Sequence, residues 1–178
     1  MKKAFTLLEL VFVIVVIGIL SAIIIPRIDS NSVPQAAIQL KDHIRYTQHL
    51  AMVNDKFDAA NPTWHRNRWQ IKFTNNQYSI VSDNNTVFAK DPQNNGKNLQ
   101  NLDLNSKYGV TVAFSGSCGA NAIISFDHLG RPLVGDLSAI TKAYDATKLM
   151  TANCVVTLSN GSEADQNLTI IPETGYVQ

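Results

Sequence analysis

The chain reads as an α+β protein in which a long N-terminal helix packs its second half on an antiparallel β domain. Three observations predict this. Leu10 to Ile25 is an apolar run without a charge. Helical periodicity then extends from Gln35 to about Phe57. From Trp69 onward the period changes to two, in short segments punctuated by Asn, Asp, Gly and Pro. The expected divisions are a basic leader at 1–4, an apolar helix at 5–28, an amphipathic continuation at 29–58 and one β-rich domain at 59–178.

The leader is Met1-Lys2-Lys3-Ala4, followed by Phe5-Thr6-Leu7-Leu8-Glu9. Counted from Phe5, the segment suffices to cross a bilayer as one helix, which takes roughly 20 residues. Lys2 and Lys3 set the N-terminus on the cytoplasmic side, so the remainder is expected to be exported. A secretory signal peptide also begins with lysines, but its apolar core is shorter and is not preceded by Glu. A buried core helix is disfavoured, because the run is apolar on all faces and strongly β-branched. A simple anchor leaves Glu9 unexplained. A charge near a bilayer core costs about 2.5–3.5 kcal/mol on insertion scales, so it calls for a partner and a role. Pro26 is expected to bend or break the helix where the chain leaves the lipid.

Asp29-Ser30-Asn31-Ser32 supplies capping residues, and Pro34 suits a first helical turn. Two sets recur at helical steps, Ala37-Leu40-Ile44 and Tyr46-Leu50-Val53-Phe57. One stripe is expected to pack on a sheet, with Lys41, Asp42, Arg45 and Lys56 facing water. Asp58 to Asn67 is a loop. Trp69 to Phe73 and Tyr78 to Val81, joined across Asn75-Asn76, read as a hairpin. Thr86 to Phe88, Val110 to Phe114, Ala122 to Phe126, Cys154 to Leu158 and Leu168 to Ile171 read as further strands. Asp91 to Asn101 is a polar loop, and Asp136 to Met150 is a loop or one helical turn.

A net charge of +1 provides no basic field that would point to nucleic acid. The polar remainder, rich in Asn, Asp, Gln, Ser and Thr, suits an exported, loop-rich β domain. Cys118 and Cys154 are the chain's 2 cysteines. In an exported domain such a pair reads first as a disulfide, worth about 3–4 kcal/mol through the unfolded state. Gly116-Ser117-Cys118-Gly119 superficially resembles a nucleophile loop, but no His partner is suggested and the compartment oxidises thiols. His43 and His49 do not share a helix face as ligands at i and i+4 would. No phosphate loop, acid pair or metal-ligand set is visible, so no catalytic residue, metal or cofactor is expected, nor enzyme activity.

Lys2-Lys3-Ala4 followed by Phe5-Thr6-Leu7-Leu8-Glu9-Leu10 resembles the N-terminal signature of type IV pilins and pseudopilins. The resemblance implies a cut by prepilin peptidase between Ala4 and Phe5 and methylation of the new Phe5 amine, although the family usually has Gly where Ala4 stands. Pro26 sits where the family's helix has its proline. The resemblance also implies a role for Glu9: in a filament it meets the Phe5 amine of a neighbouring subunit. Opposite charges attract far more in lipid or a filament core than in water, and breaking the pair leaves a buried charge uncompensated.

Ile124-Ser125-Phe126-Asp127-His128-Leu129-Gly130-Arg131-Pro132 resembles a hairpin of the H-type minor pseudopilins, the GspH/FimT family, with Gly130 suited to a positive-φ turn. Leu168 to Val177 resembles that family's closing strand and Thr-Gly turn. The implied protein has a pilin-like fold and is a structural subunit of a type II secretion pseudopilus or a type IV pilus-like filament. Its implied partners are other subunits, prepilin peptidase, an inner-membrane assembly platform and the bilayer. Its implied location is the bacterial inner membrane, crossed once, with the β domain periplasmic.

Two further motifs carry alternatives. Trp64-His65-Arg66-Asn67-Arg68-Trp69 interleaves aromatics with arginine, a pattern that stacks on single-stranded nucleic acid. The favoured reading is packing, with Trp69 opening a core strand while Trp64, Arg66 and Arg68 cover its edge. The tail Gly175-Tyr176-Val177-Gln178 lacks the basic residues that DNA-binding members of the family tend to have, so a DNA-binding subunit for natural transformation is the alternative function. Asp165-Gln166-Asn167-Leu168-Thr169 resembles the extended acceptor sequence of bacterial N-glycosylation, with a strand start that matches incidentally as the other reading.

Overall fold

A computed structural model describes residues 6–24, 31–94, 96–119 and 123–178. The chain divides into two compact units, Met1–Asn31 and Ser32–Gln178. In the first, helix α1 runs from Leu7–Ile24. Thr6 starts it: its carbonyl accepts from Leu10 N at 3.2 Å and its Oγ1 accepts from Glu9 N at 3.3 Å. A Thr at the cap with Glu three residues on is the capping-box pattern. Among the described residues no helix is long and apolar enough to cross a membrane. The 18 residues of α1 rise about 27 Å, just short of a hydrocarbon core of about 30 Å. Ala4, Phe5 and the expected bend at Pro26 lie outside the described residues.

The second unit is the α+β domain. Helix α2 spans Ser32–Val53, with Pro34 in its first turn. Its buried face is Val33, Ala36, Ala37, Leu40, Ile44, Thr47 and Ala51. The Ala37-Leu40-Ile44 stripe is therefore the core stripe. The second expected stripe is not: Tyr46 and Leu50 are only half-buried, while Val53 and Phe57 are each 63% exposed. Two residues turn a helix by about 200°, so Tyr46 and Leu50 reach the core only from its flank. The helix also stops four residues short of Phe57. Lys41 and Lys56 are half-buried rather than fully exposed, Lys56 through an ion pair with Asp83 at 2.7 Å.

Two antiparallel sheets receive this helix. The larger contains β1 (Gln70–Thr74), β2 (Gln77–Ser82), β3 (Val87–Phe88), β4 (Leu102–Asp103), β6 (Ile123–Phe126) and β7 (Pro132–Val134). Its order is β3-β2-β1-β6-β7, with β4 also paired to β2. The β1–β2 hairpin closes at Thr74↔Gln77, and Asn75 takes the positive φ of 55° that the turn requires. The smaller sheet has β5 (Thr111–Gly116), β8 (Cys154–Ser159) and β9 (Gln166–Ile170) in the order β5-β8-β9. Ile71, Ile80, Ile124, Phe126, Val156, Leu158 and Ile170 point from both sheets into one core with α2.

A five-residue helix α3 (Leu104–Tyr108), absent from the expected elements, links β4 to β5. Asp103 caps it by accepting from Ser106 N, and Gly109 ends it in the left-handed conformation. Segment 136–150 contains no helix; Asp136 and Asp145 fold it into turns by accepting from Ser138 N and Thr147 N. Its Leu137, Ile140 and Leu149 form a small second core with Leu133. The expected disulfide is present: Cys118 and Cys154 are bonded across a Cα–Cα distance of 5.0 Å. It joins the turn after β5 to the start of β8. At Gly116 a Cβ would overlap the Asn153 carbonyl, so only glycine fits there.

Candidate assembly site

The N-terminal helix presents an apolar surface. Every side chain described along it is exposed, from Leu7 at 81% to Leu20 at 53%. Such a contiguous apolar surface is a site for lipid or for other apolar helices. Glu9 sits in its first turn, exposed, at the end where the helix dipole favours a negative charge. Its backbone N–H is already held by Thr6, and among the described residues its carboxylate forms no ion pair.

The start of α2 is fastened differently. The Glu163 carboxylate, in the loop between β8 and β9, accepts from Ser32 N at 3.2 Å, Val33 N at 3.2 Å, Ser32 Oγ at 2.7 Å and Asn160 Nδ2 at 2.9 Å. The carboxylate thereby satisfies the Ser32 and Val33 N–H groups, which have no partner within α2. The Ser32 hydroxyl, then the other donors, hold the Glu163 carboxyl below its ordinary pKa. No local pattern announces this cap, because Glu163 is 131 residues from Ser32.

The two turns singled out in the β domain meet over the side chain of Gln48. Its Nε2 donates to Gly130 O and Thr174 O, both at 2.8 Å. Gly130 has a φ of 79° and Gly175 a φ of 65°. A Cβ on Gly175 would come within 2.5 Å of Gly130 O, so the approach of the two turns depends on that glycine. Asp127, fully buried, holds the first turn by accepting from Leu129 N, Arg131 N and Arg131 Nε. Sequence reasoning singled out both turns but not their contact. Gln48 is a polar residue beside the buried stripe without a local partner, which is the only hint.

The Trp64 to Trp69 cluster packs inward. Trp64–Asn67 is one 3-10 turn. His65 is buried and donates from Nε2 to Ile140 O, which also accepts from Arg66 Nε. Arg68 is 3% exposed. Its guanidinium lies between the rings of Trp64 and Tyr144, at 5.1 and 5.2 Å, and its Nη1 donates to Ala143 O. Trp69 is 7% exposed and covered by Lys56. Stacking of bases needs an open aromatic face, which the buried Trp69 does not offer. The cluster fastens segment 136–150 to the domain, with Trp64 and Arg66 half-buried at its rim.

A groove of about 470 Å³ lies between α2, α3 and the loop at Asp91. Behind its lining residues Gln39 and His43, the buried Tyr78 hydroxyl accepts from Gln39 Nε2 at 2.8 Å and shares a hydrogen bond with His43 Nδ1 at 2.7 Å. Lys107 and Tyr108 both donate to Gln39 Oε1. Burial lowers the His43 pKa, against the opposing pull of Asp91 and Asp42, and raises that of Tyr78. Among the described residues no His, Cys, Asp and Glu side chains gather into a metal-binding group.

No curated protein and no solved structure matches the chain. Residues 1–25, a span that includes helix α1, are similar to the family described as the prokaryotic N-terminal methylation motif.

Proposed function

We propose that the chain is a structural subunit, a minor pseudopilin or pilin, of a type II secretion pseudopilus or a type IV pilus-like filament. The observation that carries this is the match to the methylation motif at 1–25, a span that contains helix α1 with its exposed apolar side chains. Residues 1–4 are the leader, 5–28 the membrane and filament-core helix, 29–58 the exported part of the helix and 59–178 the periplasmic β domain. Prepilin peptidase cuts between Ala4 and Phe5, and the new amine is methylated.

In the bilayer Glu9 carries an unshared charge. In the filament it meets the Phe5 amine of a neighbouring subunit, which relieves the cost of keeping either charge in an apolar place and sets one register. Assembly thus follows from differential stability: the helix loses nothing apolar on leaving lipid for a bundle, and Glu9 gains a partner. The antiparallel domain behind α2, and the closeness of the two turns on Gln48, support the H-type, GspH/FimT-like subtype and the type II secretion setting.

The test is intact and N-terminal mass spectrometry of membrane-extracted protein, with and without an active prepilin peptidase. The expected product begins at methylated Phe5 only when the peptidase is active. A chain that keeps Met1 to Ala4 beside an active peptidase overturns the proposal. Glu9→Val is expected to leave cleavage intact and abolish filament incorporation.

A further inference from the structure

We infer that Asn167 is an N-glycan acceptor, and that the outer face of the β5-β8-β9 sheet carries the saccharide. Three Asn-x-Ser/Thr sequences with x other than Pro occur, at Asn84, Asn160 and Asn167. The structure separates them. Asn84 lies in a tight turn with a φ of 56°, has Ser82 two positions before it, and the Thr86 hydroxyl is spent on Asp83 O. Asn160 is consumed by the α2 cap: its Oδ1 accepts from Ser162 N and Glu163 N, and its Nδ2 donates to Ser32 Oγ and Glu163.

Asn167 is exposed on β9, and Leu168 beside it is buried. Alternation along the strand sets Asn167 and Thr169 on the same outward face, and Asp165, exposed just before the strand, continues the two-residue step. The acid, the acceptor and the hydroxyl are thus readable from one side. The Thr157 hydroxyl donates to Asn167 Oδ1 at 2.7 Å, and among the described residues Nδ2 has no acceptor. Across the sheet that face carries Thr111, Ala113, Ser115, Val155 and Thr157, none of them charged or aromatic, and Gln178 pairs with Thr169 on the other edge of β9.

The donor is an oligosaccharide on a polyprenyl diphosphate, and the catalyst is a bacterial oligosaccharyltransferase. Asn167 Nδ2 attacks the anomeric carbon, a C–N bond forms, the bond to the diphosphate oxygen breaks, the polyprenyl diphosphate leaves and one amide proton passes to base. A glycan here keeps this sheet face out of subunit packing. In the cell the modification rests on the export assumed in the proposed function. With purified components it does not, so failure of one is read apart from failure of the other.

Full-length chain in detergent is incubated with purified transferase and the lipid-linked oligosaccharide, once native and once reduced and unfolded, and its peptides are mapped by mass spectrometry. One saccharide increment on the Asn167 peptide in either sample is expected. It is lost in Asn167→Gln and in Asp165→Ala, and kept in Asn84→Gln. Absence of the increment in both samples, while a control acceptor peptide is modified, overturns the inference. So does an increment that maps to Asn84 or Asn160, which is read on the wild-type chain and does not depend on the variants folding.

Discussion

Helices α1 and α2 adjoin in sequence and are stabilised in opposite ways. The first is apolar on all sides, is capped by its own Thr6 and exposes what a soluble protein would bury. The second buries one stripe of small and aliphatic residues against two sheets and takes its cap from Glu163, far along the chain. A helix whose partners lie outside its own chain needs only local bonds and an apolar surface. A helix that organises a domain needs its neighbours in place first, since most helical stability in such domains comes from tertiary packing.

One pair of like substitutions puts this contrast at risk. Ile44→Ala, at a fully buried position, is expected to destabilise the β domain by about 2–5 kcal/mol. Ile14→Ala, on exposed α1, is expected to leave unfolding of that domain unchanged. Denaturant titration of the full chain in detergent, followed by the fluorescence of Trp64 and Trp69, measures both. Equal effects would break the comparison. Removing the disulfide with Cys118→Ser and Cys154→Ser together is expected to cost about 3–4 kcal/mol in the same titration, with the helical signal of α1 retained.

Smaller changes sharpen it. Gln48→Leu leaves two carbonyls of the meeting turns without their donor, and a loss of about 1–3 kcal/mol is expected, with faster amide exchange around Gly130 and Gly175. The α2 cap should be visible in acid. The Glu163 carboxyl is held below its ordinary value in the folded state, so its stabilisation is present above the unfolded pKa of about 4.3 and is lost as pH falls through the folded value. Glu163→Gln should lower the melting temperature by a few degrees at neutral pH and flatten the decline below pH 4, while the Thr6 cap of α1 is untouched. His43 has the same sign at higher pH. Burial depresses its pKa, so its contribution is complete above the unfolded value of about 6.5 and fades as pH falls below it. His43→Gln should remove that part of the slope, read as melting temperature against pH between 7 and 5.

Much of the architecture was legible because it rests on short-range patterns. The Asn75-Asn76 hairpin follows from alternation and a turn residue tolerant of positive φ. The disulfide follows from two cysteines in a domain read as exported. The choice between the stripes of α2 was not legible, since Tyr46-Leu50-Val53-Phe57 is as periodic as Ala37-Leu40-Ile44; only the position of the sheets decides which is covered. Helix α3 is too short for periodicity to register. In the candidate site, Glu9 stood out as one charge in an apolar run, whereas Glu163 and Gln48 did not, because their partners lie on distant segments. The Trp64 to Trp69 cluster allows two readings from its residues, and the enclosure of Arg68 by Tyr144 and Ala143 is a contact that no local pattern announces.

By itself the amino-acid sequence determined the α+β class, the motif-bearing N-terminus with its apolar helix, the strand segments other than β4 and β7, and the cysteine pair. Each depends on composition or on spacings of a few residues, where hydrophobicity and backbone preference act without knowledge of the rest of the chain. Only the tertiary structure decided which face of α2 is buried, that Glu163 caps it, that Arg68 lies between two rings, and that the turns at Gly130 and Gly175 touch. Those outcomes depend on carbonyls, donors and ring faces brought together from segments many residues apart, and such proximity is a property of the packed core.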